Sequence, residues 1–301
     1  MGLGKRVSSK LKRMVASKFG SAAYWSVYAV SETEFTSREE SINHFHWRSD
    51  QYINYLELMP VNGFDGKIVL DYGCGPGNDI IGFIENSKPL RLIGADVSGR
   101  SLEMARKRVA IHGGEVDLVK LDENRTIIPM DSNSVDYIHS SGVLHHVHKL
   151  ESTLLELFRI LKPGGELRVM VYNYNSIWFH LNTAYLERLN LPNFGAGLSL
   201  YDIFKKTTDG KECPISKVYK PDEFLEIVRG IGFEGIYLGA AISMHELKIL
   251  NRRFDAILDI RFEKEHRDFL LDLTFNKYNI PMYKGNIAGI DACFLFTKKA
   301  N

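Results

Sequence analysis

From residue 67 onward, short apolar runs alternate with amphipathic stretches. The run Ile68-Val69-Leu70 is bounded by glycines and predicts a buried strand over 67–72. Further strands are expected at 91–97, 115–121, 134–140 and 166–172, and helices at 78–85, 101–110 and 152–161. Such β-α alternation predicts a parallel sheet wound with helices on both faces. After Tyr172 the alternation stops. Residues 173–219 are aromatic and irregular, with one helix expected near 177–189, and a loop region of that size points to a substrate lid. The pattern then resumes with a helix at 221–230, a strand at 235–241, helices near 245–276 and a last strand at 288–297. Helical spacing also marks 3–19 and 35–59 before the first strand.

These elements predict an α/β fold with a doubly wound, mostly parallel, seven-stranded Rossmann-like sheet, a helical N-terminal cap and an inserted lid. The cap covers 1–62. The main domain covers 63–301, with the lid insertion at about 173–219 and a helical insertion at about 243–276.

Composition narrows the class. The 301 residues are 45% hydrophobic, 25% charged and 11% aromatic, which excludes disorder and low-complexity architecture. The net charge of +1 gives no global case for nucleic acid, and no nucleic-acid partner is expected. The total hides an asymmetry: residues 1–30 carry six basic residues and no acid, so the remainder holds 32 basic against 37 acidic residues, or −5. The basic helix over 3–19 has two readings, a helix docked on its own domain or a peripheral membrane contact. Cys74, Cys213 and Cys293 are far apart and form no CxxC pair, so neither a disulfide framework nor a zinc ribbon is expected, and no metal. The chain reads as cytoplasmic, without a spanning segment. The apolar stretch 22–30 is broken by Ser26 and lacks a convincing cleavage site.

The chemistry begins at the end of the first predicted strand, Asp71-Tyr72-Gly73-Cys74-Gly75-Pro76-Gly77. A glycine-rich turn there lets backbone approach a ligand. A dinucleotide turn would require glycine at position 78, where this chain has Asn78, and a pyrophosphate would be repelled by Asp71. Asp71 suits a cationic ligand instead.

The Asp71-x-Gly73-x-Gly75-x-Gly77 run resembles the first motif of class I S-adenosylmethionine-dependent methyltransferases, of the bacterial type 11/12-like kind. The resemblance covers residues 60–172 and extends to Asp96, to Glu123-Asn124, to the segment from Ser140 through Ser141 and Gly142 to His145-His146, and to Leu161-Lys162-Pro163-Gly164-Gly165. It implies S-adenosyl-L-methionine as cofactor. Asp71 would meet the methionine ammonium, and Gly73, Gly75 and Gly77 would let backbone amides reach the cofactor. Asp96 would hold the ribose hydroxyls, Glu123 and Asn124 would lie at the adenine, and Ser141 would border the cofactor. Turn or helix capping is the structural alternative for Asp71 and Asp96, and solvent exposure for Glu123.

The resemblance also implies methyl transfer to an O or N atom. His145 and His146 are candidate bases, with packing beneath the next helix as the alternative. The Asn/Asp-Pro-Pro-aromatic motif of nucleic-acid amino-methylation is absent, and Cys213-Pro214 reverses the order of a cytosine-methylating nucleophile. A small-molecule or carbohydrate-like acceptor is therefore expected, on Tyr172, Asn173, Tyr174 and Trp178, whose aromatics could instead form the core of the lid. Two further readings stand beside this one: a non-catalytic cofactor-binding partner of another protein, and transfer to a lipid-linked acceptor at a membrane surface.

Overall fold

The computed structural model describes residues 20–28, 33–189 and 197–300. The expected basic helix over 3–19 lies outside the described residues. A helix over Ser21–Val27 is followed by one over Arg38–Asp50, capped by the Ser37 side chain accepting from the Glu40 backbone N–H. The expected second helical stretch does not run to residue 59. It gives way to strand β1 (Tyr52–Ile53) and a single turn over Tyr55–Leu58, because Asn54 takes a left-handed backbone, φ +75°.

Then come β2 (Ile68–Tyr72), a helix over Asn78–Asn86, β3 (Arg91–Asp96), a helix over Gly99–His112, β4 (Asp117–Lys120) and β5 (Val135–Ser141). A helix over Leu150–Ile160 leads directly into β6 (Leu161–Tyr172). This strand starts five residues before the expected point: Leu161 already pairs with Val135, and a register shift accommodates the Pro163-Gly164 turn. β7 (Glu234–Ser243) follows a helix over Pro221–Ile231, and β11 (Asp291–Thr297) closes the sheet.

The main sheet has eight strands, ordered β1-β7-β11-β6-β5-β2-β3-β4. The expectation was seven; the eighth is the two-residue β1, which the cap lends to the outer side of β7 through Tyr52–Ser243 and Ile53–Ile242 pairs. β5 and β3 flank β2 in parallel, while β11 is antiparallel to β6 and β7. The chain winds one way from β2 to β4 and the other way from β5 to β6, so the topological switch lies between β2 and β5. Ligands of open α/β sheets bind at the carboxyl ends of strands at such a point.

Successive residues of a strand face opposite sides of the sheet. Val69 and Tyr137 pack with Ile80 and Phe83 on one side; Leu70 and Ile138 pack with Leu154, Leu157 and Phe224 on the other. Both faces are thus covered, as the unbroken apolar run in β2 requires.

The 173–219 insertion leaves and returns at one place, because Asn173 and Tyr219 form a parallel bridge. Its first helix, Trp178–Glu187, is wound as a π-helix, and a capped α-helix follows over Leu200–Thr208. The region expected to be helical to residue 276 holds short helices over Met244–Ile249, Arg253–Leu258 and Lys264–Leu271. It ends in strand β8 (Thr274–Phe275), which joins β9 (Pro281–Tyr283) and β10 (Asn286–Ile287) in a small antiparallel sheet. No helix among the described residues is long and apolar enough to cross a membrane.

Candidate active site

Asp71 stands near the carboxyl end of β2, 3% exposed, and its Oδ2 is buried without a hydrogen-bond partner among the described residues. Burial, then the nearby charge of Asp79, push its carboxyl well above the usual carboxylate range. A buried acceptor without a donor is costly and marks a place where a ligand completes the structure.

The turn after Asp71 is drawn onto β3 by two bonds, as Gly73 N and Cys74 N both donate to Ala95 O at 2.7 and 3.1 Å. Gly73 has φ +82°, and a Cβ there would stand 2.2 Å from Val143 Cγ2. Gly75 has φ +51°, and nothing lies within 4 Å of where its Cβ would sit, so its backbone faces open pocket. The two glycines are therefore required for different reasons: Gly73 by the protein's own packing, Gly75 by the open space beside it. Gly77 caps the helix over Asn78–Asn86, packs on Ala105 and does not line the pocket.

Asp96, at the end of β3, accepts from Gly75 N at 2.9 Å and Ser98 N at 2.7 Å. It fixes the turn and still offers further lone pairs to the pocket. Glu123 lines the same pocket, but its Oε2 accepts from Ala22 N at 2.7 Å and so anchors the first turn of the Ser21–Val27 helix. Asn124 is exposed, its backbone N–H bonded to Asp122 Oδ1, and lies outside the pocket. Ser141 Oγ at the end of β5 is 2.6 Å from Tyr55 Oη.

The two histidines separate. His145 is fully buried, its ring stacked on Tyr172 at 3.8 Å, with Nδ1 accepting from Tyr172 N at 3.3 Å. It does not line the pocket, and the expected role of base does not fall on it. His146 does line the pocket: Nδ1 is 2.6 Å from Ile215 O and Nε2 is 3.6 Å from Asp209 Oδ1. Burial holds its pKa below the usual value even though Asp209 works the other way. The Ile215 carbonyl can only accept, so the Nδ1 proton belongs there and Nε2 is an open acceptor. Asp209 also receives Tyr172 Oη at 2.7 Å and Ser216 Oγ at 2.5 Å, and Cys213 Sγ completes a group of three donor atoms with His146 and Asp209 within 4.8 Å.

Of the expected acceptor residues, Tyr172 and Trp178 line the pocket; Asn173 and Tyr174 do not. The Asn173 amide is committed to Gly289 O and to the Asn175 backbone, and Tyr174 donates to Glu265. Sequence reasoning missed Trp25, Arg48, Tyr52, Tyr55, Asp79, Asp209 and Asp291. For Asp291 a signal exists, an acid opening the apolar run Ala292-Cys293-Phe294, since unpaired acids are seldom buried.

One pocket of about 750 Å³ runs along the carboxyl ends of the parallel strands and the amino end of the antiparallel β11. One half lies over β2, β3 and β5, between Asp71, Gly75, Asp96 and Ser141. The other lies over β6, β11 and β7, between Tyr172, Trp178, Asp291 and Ser243. An orphan carboxylate, a backbone turn open to the pocket and an acid at the next strand end fit an adenosyl group carrying a methionine ammonium. This fold and site resemble those of class I S-adenosylmethionine-dependent methyltransferases.

Comparison with known proteins agrees. Residues 69–165, which include Asp71, the glycine turn and Asp96, match a family model described as a methyltransferase domain. Demethylmenaquinone methyltransferase of Listeria monocytogenes is 31% identical over 158 residues, 50% of this chain and 62% of that protein. The tRNA (carboxymethyluridine(34)-5-O)-methyltransferase ALKBH8 of Mus musculus is 28% identical over 157 residues, 51% of this chain and 21% of that protein. This chain thus spans less than two thirds of the length of either curated relative. Among solved structures, the [4+2]-cyclase SpnF shares the fold at 16% identity, with a TM-score of 0.51 over 98% of this chain and 96% of that one.

Proposed function

We propose that the protein transfers the methyl group of S-adenosylmethionine to a small-molecule acceptor seated over β6, β11 and β7. The observation that carries this reading is the buried Asp71 Oδ2 without a donor, beside the open backbone of Gly75 and in the same pocket as Asp96. The two curated relatives are named for acceptors as different as a quinone and a tRNA, while both match only half of this chain. Acceptor choice in this protein therefore rests on residues outside the shared part.

Bound S-adenosylmethionine supplies a methyl group already activated on a sulfonium. The chain then has to align an acceptor atom with it, and positioning of this kind can contribute about 7–11 kcal/mol. Asp71 and Asp96 hold the cofactor end. His146 Nε2 is placed to take a proton from an acceptor O–H or N–H, with Asp209 3.6 Å away to favour the imidazolium that results. Tyr172 and Ser216 keep Asp209 in place.

Thermal stability and titration calorimetry with S-adenosylmethionine, S-adenosylhomocysteine and NAD(H) test the assignment. The first two ligands should stabilise the protein and NAD(H) should not; stabilisation by NAD(H) alone overturns it. Transfer of an isotope-labelled methyl group to a panel of amines, alcohols and carboxylates then tests catalysis. His146→Ala should slow the transfer at least a hundredfold, the usual contribution of a general base.

A further inference from the structure

Asp291 is the first residue of β11 and the register partner of Tyr172, the last residue of β6. It is 97% buried, being 3% exposed, and lines the pocket. Among the described residues, no donor is bonded to its carboxylate. The charged groups that act on it are Glu246, which repels, and Arg48, which attracts. Arg48 is already committed to Asp79 at 2.9 Å, and Glu246 to Ser243 and to the Trp178 backbone N–H. Asp291 thus retains an unmatched acceptor facing the pocket.

One ammonium group cannot meet both Asp291 and Asp71. Three strand steps separate β2 from β11, roughly 14 Å at about 4.8 Å per step. Tyr52, Tyr172 and Trp178 line the same pocket as Asp291; Tyr172 is its register partner, and its charge acts on the hydroxyls of both tyrosines. Aromatic rings lining a pocket beside a desolvated carboxylate are complementary to a cation, which gains both from the ring quadrupoles and from the charge. The histidines on this side, His146 and His245, are both held toward the neutral form by burial and add no compensating positive charge.

We propose that the acceptor is a cationic amine, its ammonium group received by Asp291 in the part of the pocket lined by Tyr52, Tyr172 and Trp178. This rests on the methyltransferase reading and names its substrate class. Burial, then Glu246, push the Asp291 carboxyl up to about 8 in the ligand-free protein, so an entering ammonium displaces a proton and restores the charge. Before transfer the ammonium must lose one proton, which His146 Nε2 in the same pocket accepts; the lone pair so exposed forms the N–C bond while the methyl C–S bond breaks, its electron pair remaining on sulfur as a neutral thioether and the product nitrogen carrying the positive charge.

The test uses the full chain saturated with S-adenosylhomocysteine and three probes of one shape: benzylammonium, benzyl alcohol and benzoate. Titration calorimetry should give the order benzylammonium, then alcohol, then benzoate, with at least a tenfold preference for the cation over the alcohol. Proton release on cation binding should appear as a dependence of the heat on buffer. Asp291→Asn should abolish the preference and leave S-adenosylhomocysteine affinity within twofold. Equal binding of the three probes, no binding of any, or preference for the alcohol overturns the amine proposal, and the wild-type order decides even if the variant fails to fold. Failure of the wild type to bind S-adenosylhomocysteine is a separate result, which overturns the methyltransferase reading itself.

Discussion

Arg48 Nη1 lies 2.9 Å from Asp79 Oδ1, joining the helix over Arg38–Asp50 to the first turn behind the glycine motif. Burial works against both charges, yet each holds the other ionised: Asp79 stays below the usual carboxylate range and Arg48 above the usual guanidinium range. Tyr55 Oη reaches the same Asp79 at 3.4 Å and Ser141 at 2.6 Å. The helix over Arg38–Asp50, within the expected N-terminal cap, is therefore wired into the floor of the pocket.

Arg48→Met should cost about 2–3 kcal/mol in urea unfolding, below the full range for breaking a buried pair because about a quarter of Arg48 is exposed. Adding Asp79→Asn should recover part of that loss, so that the double variant loses less than the sum of the two single ones. Strictly additive losses in the two single variants would show that the pair does not act as one.

Asp71→Asn should move stability and affinity in opposite directions. The folded-state pKa of Asp71 is raised, so its ionised form opposes folding near neutral pH. Neutral asparagine should raise the melting temperature of the ligand-free protein and weaken S-adenosylhomocysteine binding about tenfold or more, through loss of a charge-assisted bond. Weakening of both by the same variant would contradict the placement of Asp71 toward the ligand.

Gly73→Ala and Gly75→Ala should separate packing from ligand approach. The first meets Val143 at 2.2 Å and should lower the melting temperature, with partial rescue by Val143→Ala. The second has room for its Cβ and should lose only about 1–2 kcal/mol for its left-handed backbone, while S-adenosylhomocysteine binding falls far more. Equal stability losses with intact binding in both variants would refute the distinction.

Stability of the ligand-free protein should fall as pH rises from 6.5 to 8.5. Burial lifts Glu246 to about 7 and Asp291 to about 8, whereas the unfolded chain releases both protons near pH 4. In that window the folded state binds more protons than the unfolded one, so raising the pH favours unfolding. Buried His145, His146 and His180 have lowered pKa values and act in the opposite sense, but only below their ordinary value near 6.5. Asp291→Asn should flatten the melting-temperature profile; an unchanged slope would contradict burial of its charge.

The sheet from β2 to β6 and the glycine turn were legible because strand periodicity and positive-φ glycines are local. The acceptor half was not. Asp209 sits among polar residues that read as an ordinary loop, and it becomes part of the site only when Tyr172 and Ser216 converge on it. Glu123 carries no local mark that it would anchor Ala22, a contact across 101 residues. The π-helix at Trp178 shares its apolar content with an α-helix, and the two-residue β1 is too short to show alternation. His145 and His146 are adjacent and chemically identical in sequence; only the packing of Tyr172 and the Ile215 carbonyl distinguish them.

The two residues of β1 also guard the flank of the sheet. β7 runs ten residues, and β1 pairs with just Ser243 and Ile242 of it, so the closure covers only the end of that edge. Removing residues up to 62 would strip those pairs and free a longer row of β7 amides and carbonyls. The truncated protein should then self-associate rather than persist as a smaller monomer, and its failure would be one of solubility before it was one of chemistry.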